Sequence, residues 1–72
     1  MARRFFVLGA KVAELRERSG IDQPTLAATV GISQGYLSQI ERGDRNPNPK
    51  ITLDIANALQ VTFDDITERV PA

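Results

Sequence analysis

The sequence contains no cysteine and no histidine, and these two absences narrow the chemistry that is available to the chain. Without cysteine there is no disulfide, and without both residue types the usual zinc ligands are missing. The commonest nucleophile–base pairs of enzymes draw on the same residues. The sequence also has no inward cluster of carboxylates and no glycine-rich phosphate loop, so we expect no catalytic site, metal, cofactor or small-molecule ligand.

Long hydrophobic runs are absent as well. The longest uninterrupted apolar run is Phe5 to Leu8, which is far too short to span a membrane. The basic pair Arg3-Arg4 is not followed by a long apolar region, so it does not begin a signal peptide. We therefore expect a cytoplasmic protein that does not associate with a membrane.

The length of the chain limits the architecture. Seventy-two residues, 42% of them hydrophobic, suit one small domain. This length is near the lower limit for a core that forms without metal or disulfide support. Because the sequence contains no internal repeat, low-complexity tract or linker, we expect residues 1–72 to form a single domain.

Charge is low in total but unevenly distributed. Nine basic and nine acidic side chains give a net charge of zero, and the pI is near 6.1. Residues 1–50 carry eight basic and five acidic side chains, whereas residues 51–72 carry one basic and four acidic ones. The first part is therefore positive and the second negative. Few cations are available to neutralise phosphates, so we expect modest non-specific affinity for nucleic acid.

The most informative segment, residues 22–43, is typical of two short helices joined by a tight turn. Asp22 is a predicted N-cap of the first helix. Gly31 suits the left-handed turn residue that ends this helix. Ser33 is a predicted cap of the second helix, which starts at Gln34 and continues to the end of the segment.

The second helix of this segment has two unlike faces when residues are placed about 100° apart. Leu37 and Ile40 lie on an apolar face. The opposite face is polar, rich in amides and nearly free of acid; it carries Gln34, Gly35, Ser38, Gln39 and Arg42. A glutamine side chain presents a donor and an acceptor together and can bind adenine bidentately in the major groove. The pattern therefore predicts a helix that contacts base edges.

The segment resembles the helix-turn-helix of the lambdoid phage repressor and Cro family, the Xre-like regulators. The matching residues are Gln23, Leu26, Ala27, Gly31, Ser33, Leu37, Ile40, Glu41, Arg42 and Gly43. The flanking matches are Leu8-Gly9, Leu15-Arg16, Asn46-Pro47, Ala56, Ala58-Leu59 and Val61. The resemblance covers about residues 6–67 and implies an all-α, compact five-helix DNA-binding domain.

The same resemblance implies a sequence-specific transcriptional regulator that binds double-stranded DNA as a homodimer on a two-fold operator. Helix 34–42 would lie in the major groove. The implied DNA-binding residues are Gln23, Ser33, Gln34, Gly35, Tyr36, Ser38, Gln39, Arg42, Arg45 and Asn46. Gln23 is expected to bind a phosphate and to steady Gln34, and Tyr36 either packs or also places its hydroxyl on a phosphate. Gly35 either removes one base contact or lets the backbone approach the groove closely.

The resemblance also implies an ion pair between Arg16 and Glu41, which would join the first and third helices. A bidentate arginine–carboxylate pair would hold the recognition helix in a fixed orientation on its scaffold. We expect it to act through orientation more than through net stability, because burying a pair costs desolvation. The alternative is two exposed charges without a partner.

The remaining elements are predicted from apolar spacing and turn chemistry. A first helix is expected over residues 5–19 and a fourth over residues 50–60. Thr62 and Asp65 form a capping box for a short fifth helix. The tail from residue 67 onward is expected to be loose unless a dimer orders it. The candidate dimer contacts are Leu53, Phe63 and Ile66.

Two other classes of function stay open at this point. One is a protein-interaction module, such as an antitoxin that neutralises a toxin partner and autoregulates; the zero net charge and the acidic C-terminal third favour it. The other is an enzyme, against which the residue composition argues. Within the leading class, size and layout resemble small phage or plasmid repressors and restriction–modification controller proteins.

Overall fold

A computed structural model describes residues 4–70 of the chain. In chain order these residues form β1 (Phe5–Val7), α1 (Gly9–Arg18), α2 (Gln23–Val30), α3 (Gln34–Glu41), α4 (Pro49–Ala58), a 3-10 turn (Asp64–Ile66) and β2 (Thr67–Arg69). The fold is mostly helical, as expected, but four helices and a two-stranded sheet take the place of five helices. None of the helices in this part of the chain is long and apolar enough to cross a membrane.

The prediction of a helix over residues 5–19 is wrong at its beginning. Phe5–Val7 form β1, and only Gly9–Arg18 are helical. The spacing of apolar residues at the start of the chain is compatible with a helix, but aromatic and β-branched side chains also favour a strand. The antiparallel pairing of β1 with β2, in which Phe5 lies opposite Arg69, decides between the two.

The expected loose tail is also corrected by this pairing. Thr67–Arg69 form β2, and the Val70 N–H extends the ladder by donating to the carbonyl oxygen of Arg4 at 2.9 Å. The two strands come from opposite ends of the chain, so no local pattern indicates that they meet. Residues 71–72 lie outside the described part of the chain.

The five-helix count is not confirmed, although the capping box before the fifth helix is present. The Thr62 N–H donates to Asp65 Oδ2 at 2.9 Å, and the Asp65 N–H donates to Thr62 Oγ1 at 3.2 Å. Only the single 3-10 turn Asp64–Ile66 follows. At Thr67 the backbone becomes extended, and the chain enters the sheet instead of continuing as a helix.

The core lies between the four helices and the 3-10 turn. Its fully buried large aliphatic side chains are Val12, Leu26, Leu37, Ile40, Ile55 and Ile66. Thr52 is buried among them, and its hydroxyl donates to the carbonyl oxygen of Asn48 at 2.9 Å, so this polar group has a partner. Asn48 also caps α4 by accepting a hydrogen bond from the Ile51 N–H at 2.8 Å.

Close contact between α1 and the end of α3 fixes how the two helices lie. A Cβ atom added at Gly9 would lie 2.7 Å from the carbonyl oxygen of Glu41 and 2.9 Å from its carbonyl carbon. Such distances are too short for a real side chain, so only glycine allows the two backbones to approach in this way. The first turn of α1 therefore supports the C-terminal end of α3.

Candidate DNA interface

The turn between α2 and α3 forms as its sequence predicts. The Asp22 side chain accepts a hydrogen bond from the Thr25 N–H at 2.8 Å, and Gly31 has a φ of 85°. The Ser33 hydroxyl oxygen accepts from the Tyr36 N–H at 3.0 Å and caps α3. Hydrogen bonds from the side chain and the backbone of Thr25 lower the pKa of Asp22 below its ordinary 3.8, so the cap carries a negative charge at neutral pH.

The two faces of α3 lie in different environments. Leu37 and Ile40 are completely buried and anchor the helix on the core. On the opposite side Gln34, Gly35 and Arg42 are exposed. The other polar residues of this side, Ser38 and Gln39, are half-buried. The amide-rich face is therefore exposed or half-buried, on the side of α3 that is turned away from the core.

The predicted ion pair between Arg16 and Glu41 is present and bidentate. Arg16 Nε lies 2.7 Å from Glu41 Oε2, and Arg16 Nη2 donates to Glu41 Oε1 at 3.0 Å. Arg16 Nη1 donates to the carbonyl oxygen of Ile21 at 2.9 Å. The Arg16 and Glu41 side chains are only 13% and 6% exposed. The hydrogen bond to Glu41 raises the pKa of Arg16 above its ordinary value, so the guanidinium that joins α1 to α3 keeps its charge.

The ion pair also orients two glutamines at the start of the interface. Gln23 Nε2 donates to Glu41 Oε1 at 2.9 Å, and Gln34 Nε2 lies 3.5 Å from Gln23 Oε1, a long hydrogen bond. Because a carboxylate only accepts, the Gln23 amide must turn its NH₂ group towards Glu41 and its oxygen towards Gln34. Gln34 keeps an acceptor oxygen and a second N–H for another partner.

The cations near the end of α3 have weak intramolecular partners. Arg42 Nε lies 3.1 Å from Asp44 Oδ2, and Arg42 Nη1 donates to Ser38 Oγ at 3.0 Å. Arg45 Nε donates to Gln39 Oε1 at 3.3 Å, and the Arg45 guanidinium carbon lies 5.9 Å from the centre of the Tyr36 ring. Exposed contacts of this kind contribute little stability, so a phosphate can replace them at low cost.

Asn46 differs from the other predicted DNA-binding residues because its side chain is turned towards β1. Asn46 Oδ1 accepts from the Val7 N–H at 2.9 Å, and Asn46 Nδ2 donates to the Phe5 carbonyl oxygen at 3.2 Å. Sequence reasoning missed this role because β1 itself was predicted to be helical.

The three candidate dimer contacts lie in different environments. Leu53 is 47% exposed on α4. Phe63 is half-buried, and its ring centre lies 5.0 Å from that of Phe5 in an edge-to-face arrangement. Ile66 is completely buried in the core of the monomer. Ile66 therefore has no surface with which to contact a second subunit, and it is removed from the candidates.

The helices α2 and α3 are short and capped. The second one rests on the core and presents amides and arginines on its outer side. This arrangement defines a small helical domain of the helix-turn-helix class. The chain belongs to the helix-turn-helix family, whose model matches residues 12–66. It is a transcriptional regulator with a helix-turn-helix DNA-binding fold, and the Xre-like resemblance of the sequence is confirmed.

Individual relatives agree with this assignment. An uncharacterized HTH-type transcriptional regulator of Sinorhizobium fredii, y4dJ, is 41% identical over 56 residues, which cover 78% of this chain and 73% of that protein. The restriction-modification controller protein C.AhdI from Aeromonas hydrophila has 34% identity and a TM-score of 0.77, with 81% of this chain and 88% of that chain covered. The P22 c2 repressor in complex with a synthetic operator has 33% identity and the same TM-score and coverage. These matches give no support to the antitoxin alternative.

Proposed function

We propose that the protein binds a specific sequence of double-stranded DNA as a homodimer and regulates transcription from a two-fold operator. The observation that carries this proposal is the amide-rich face of α3, which is turned away from the core while Leu37 and Ile40 anchor the opposite face. The similarity to a repressor solved with a synthetic operator supports it further. Known dimers of this class place their half-sites roughly 34–36 Å apart, and we expect the same spacing here.

Base reading is assigned to Gln34 and Gln39. Gln34 retains one acceptor and one donor beyond its contact with Gln23, which is the pair that a bidentate contact with adenine needs. Gly35 lies between them in the first turn of α3, and a Cβ added there would meet no protein atom within 4 Å. The open surface at this glycine favours close approach of the helix backbone to the groove.

Contacts with the DNA backbone are assigned to residues on either side of the bases. Arg42 and Arg45 provide the positive charge, and their present partners are exposed groups that phosphates can displace. We propose that four uncharged residues also contact the DNA backbone: Gln23, Ser33, Tyr36 and Ser38. Phosphate contacts set the register of the protein on the duplex and leave sequence discrimination to the bases.

The first experiment tests base reading. An operator is selected from a random DNA pool, and binding of Gln34→Ala and Gln39→Ala is then measured on every single-base variant of that operator. Each variant is expected to lose about 1–3 kcal/mol of discrimination at one base pair, because a bidentate contact is removed. Asn57→Ala, which removes an exposed amide from α4, is the control. Equal losses on selected and random DNA would contradict base reading.

The second experiment tests the phosphate contacts. Arg45→Ala is expected to weaken binding to all DNA sequences and to lower the slope of log K against log salt concentration by about one unit. Arg18→Ala, at the exposed end of α1, is expected to leave the slope unchanged. If Arg45→Ala also leaves it unchanged, Arg45 does not contact a phosphate.

The third experiment tests the dimer. We propose that Leu53, which is exposed, and Phe63, which is half-buried, contact the second subunit. Leu53→Glu is the cleaner variant, because Phe63 also packs on Phe5 within the monomer. Sedimentation over a range of concentrations is expected to show a weaker dimer. An unchanged mass distribution would reject Leu53 as an interface residue.

A further inference from the structure

β1 has hydrogen-bonding partners along both of its edges. On one edge the Leu8 N–H donates to the Ile66 carbonyl oxygen at 2.8 Å, and the Arg4 carbonyl accepts from the Val70 N–H at 2.9 Å. Alternate residues of an antiparallel strand direct their backbone groups to opposite edges, so Phe5 and Val7 point away from β2. Asn46 occupies that second edge and binds both residues.

The chemistry of this contact requires an amide. Asn46 Oδ1 accepts from the Val7 N–H at 2.9 Å while Asn46 Nδ2 donates to the Phe5 carbonyl oxygen at 3.2 Å. A peptide group of a third strand would make the same pair of bonds, one as acceptor and one as donor. Aspartate offers no donor and alanine offers neither group, so neither residue can replace asparagine here.

Asn46 lies directly after Arg45 in the loop between α3 and α4. The preceding residue, Arg45, contacts Gln39 and Tyr36 of α3, and the following residue, Pro47, is buried. We propose that Asn46 is a positioning residue for DNA binding: its side chain fixes the loop on β1 and so sets where Arg45 meets a phosphate. Through β1, the C-terminal strand β2 also supports the DNA-facing loop. The inference rests on the proposed function and deepens it.

A DNA contact that drew the Asn46 amide off β1 would leave the Val7 N–H and the Phe5 carbonyl oxygen without these partners, whereas the second Nδ2 hydrogen of Asn46 is not used by β1. The Val7 N–H belongs to a residue that is only 8% exposed, and the Phe5 carbonyl lies beside it on the same edge. Buried backbone groups are almost always paired, and an unpaired one is costly. The geometry therefore favours an Asn46 side chain that stays on β1 and holds the loop in place.

The first test uses the free protein and does not depend on DNA. Hydrogen exchange of the Val7 amide is measured by NMR in the wild type and in Asn46→Ala. Val7 is expected to lose at least about fivefold in protection, the equivalent of one hydrogen bond. The Leu8 amide, which donates to Ile66, is the internal control and keeps its protection. Unchanged exchange at Val7 would overturn the inference.

The second test measures operator and random DNA binding by Asn46→Ala, Arg45→Ala and the double variant. Asn46→Ala is expected to bind both DNAs about fivefold more weakly and to have no further effect in the Arg45→Ala background, because it acts through Arg45. Asn57→Ala, the matched asparagine control, binds as the wild type does. Independent effects of the two substitutions, or unchanged binding by Asn46→Ala, would overturn the inference.

The Val7 amide in the DNA complex gives a separate readout. Positioning predicts that Val7 remains protected when DNA is bound, whereas a DNA contact that draws the Asn46 amide off β1 would release Val7 and overturn the inference. A wild-type protein without a preferred site would refute the proposed function instead. A failure of the proposed function can be distinguished from a failure of the inference on Asn46, because hydrogen exchange in the free protein does not depend on DNA binding.

Discussion

The α2–α3 pair and the terminal sheet are held together by different kinds of contact. In α2–α3 each cap joins residues three positions apart, Asp22 to Thr25 and Ser33 to Tyr36. In the sheet, Phe5 pairs with Arg69 across nearly the whole chain. Local contacts form at little cost in chain entropy, whereas contacts between distant residues require loop closure. The ends of α2 and α3 are thus specified by nearby residues, whereas the sheet is specified by residues from opposite ends of the chain.

The largest expected effect concerns the ion pair that joins α3 to α1, a contact between residues that are distant in the sequence. Glu41→Ala is expected to lower the free energy of unfolding by about 3 kcal/mol, because it leaves the largely buried Arg16 without its carboxylate. It also removes the acceptor of the Gln23 amide. Urea denaturation measures the loss.

The double variant Arg16→Met with Glu41→Leu is the control for this prediction. It removes both charges and fills the same space, so it is expected to lose less stability than Glu41→Ala alone. A double variant as unstable as the single one would mean that packing, and not an uncompensated charge, causes the loss. In that case the tie between α1 and α3 would be steric.

The next effect concerns the contact between α1 and the end of α3. Gly9→Ala is expected to cost about 2 kcal/mol, because the new Cβ would lie 2.7 Å from the carbonyl oxygen of Glu41. Gly35→Ala is the matched control, since a Cβ there meets nothing within 4 Å. It is expected to stabilise α3 by about 0.5–1 kcal/mol. Similar losses in urea denaturation for both variants would refute the close approach at Gly9.

The difference between local contacts and contacts between distant residues explains which elements could be predicted from the sequence. Asp22, Gly31 and Ser33 act within one turn of their own positions, so their roles follow from residue type alone. The Arg16–Glu41 pair was expected only through resemblance, because no spacing rule joins residues on different helices. The strand at Phe5–Val7 was missed because its partner is at the other end of the chain.

The features of the candidate site also differ in whether the sequence could predict them. The exposed amide face of α3 follows from helical spacing, since Leu37 and Ile40 determine which side is buried. The partners of Arg42 and Arg45 depend on rotamers and on the path of the loop, which residue types do not determine. Asn46 matched the family pattern, but the strand it binds was not predicted.

A smaller loss of stability is expected when the aromatic rings on the two faces of β1 are removed one at a time. Phe5→Ala is expected to cost about 1–2 kcal/mol, because its half-buried ring packs edge-to-face on Phe63. Phe6→Ala removes a ring that is 42% exposed on the other side, and the expected loss is below about 1 kcal/mol. Urea denaturation compares the two variants. A larger loss for Phe6→Ala would contradict the orientation of the strand.

The smallest expected effect is on the pH dependence of stability. It is tested at one acidic cap in the α2–α3 pair and one beside the terminal sheet. Hydrogen bonds lower the pKa of Asp22 in α2 and that of Asp65 before β2, the latter chiefly through the Thr62 backbone N–H. A carboxylate with a lowered pKa in the folded state contributes stability above its unfolded pKa, which is lost as the pH falls through the lower folded value.

Asp22→Asn and Asp65→Asn retain an acceptor oxygen but do not titrate. Each variant is therefore expected to be less stable than the wild type at neutral pH and to approach it as the pH falls below the ordinary 3.8 of a free aspartate. Thermal melts between acidic and neutral pH measure the difference, which is small because both groups are exposed. Parallel curves at every pH would mean that the caps act through geometry alone. Convergence for Asp22→Asn but not for Asp65→Asn would restrict charge-assisted capping to the helix-turn-helix, because only there does a full α-helix dipole face the carboxylate.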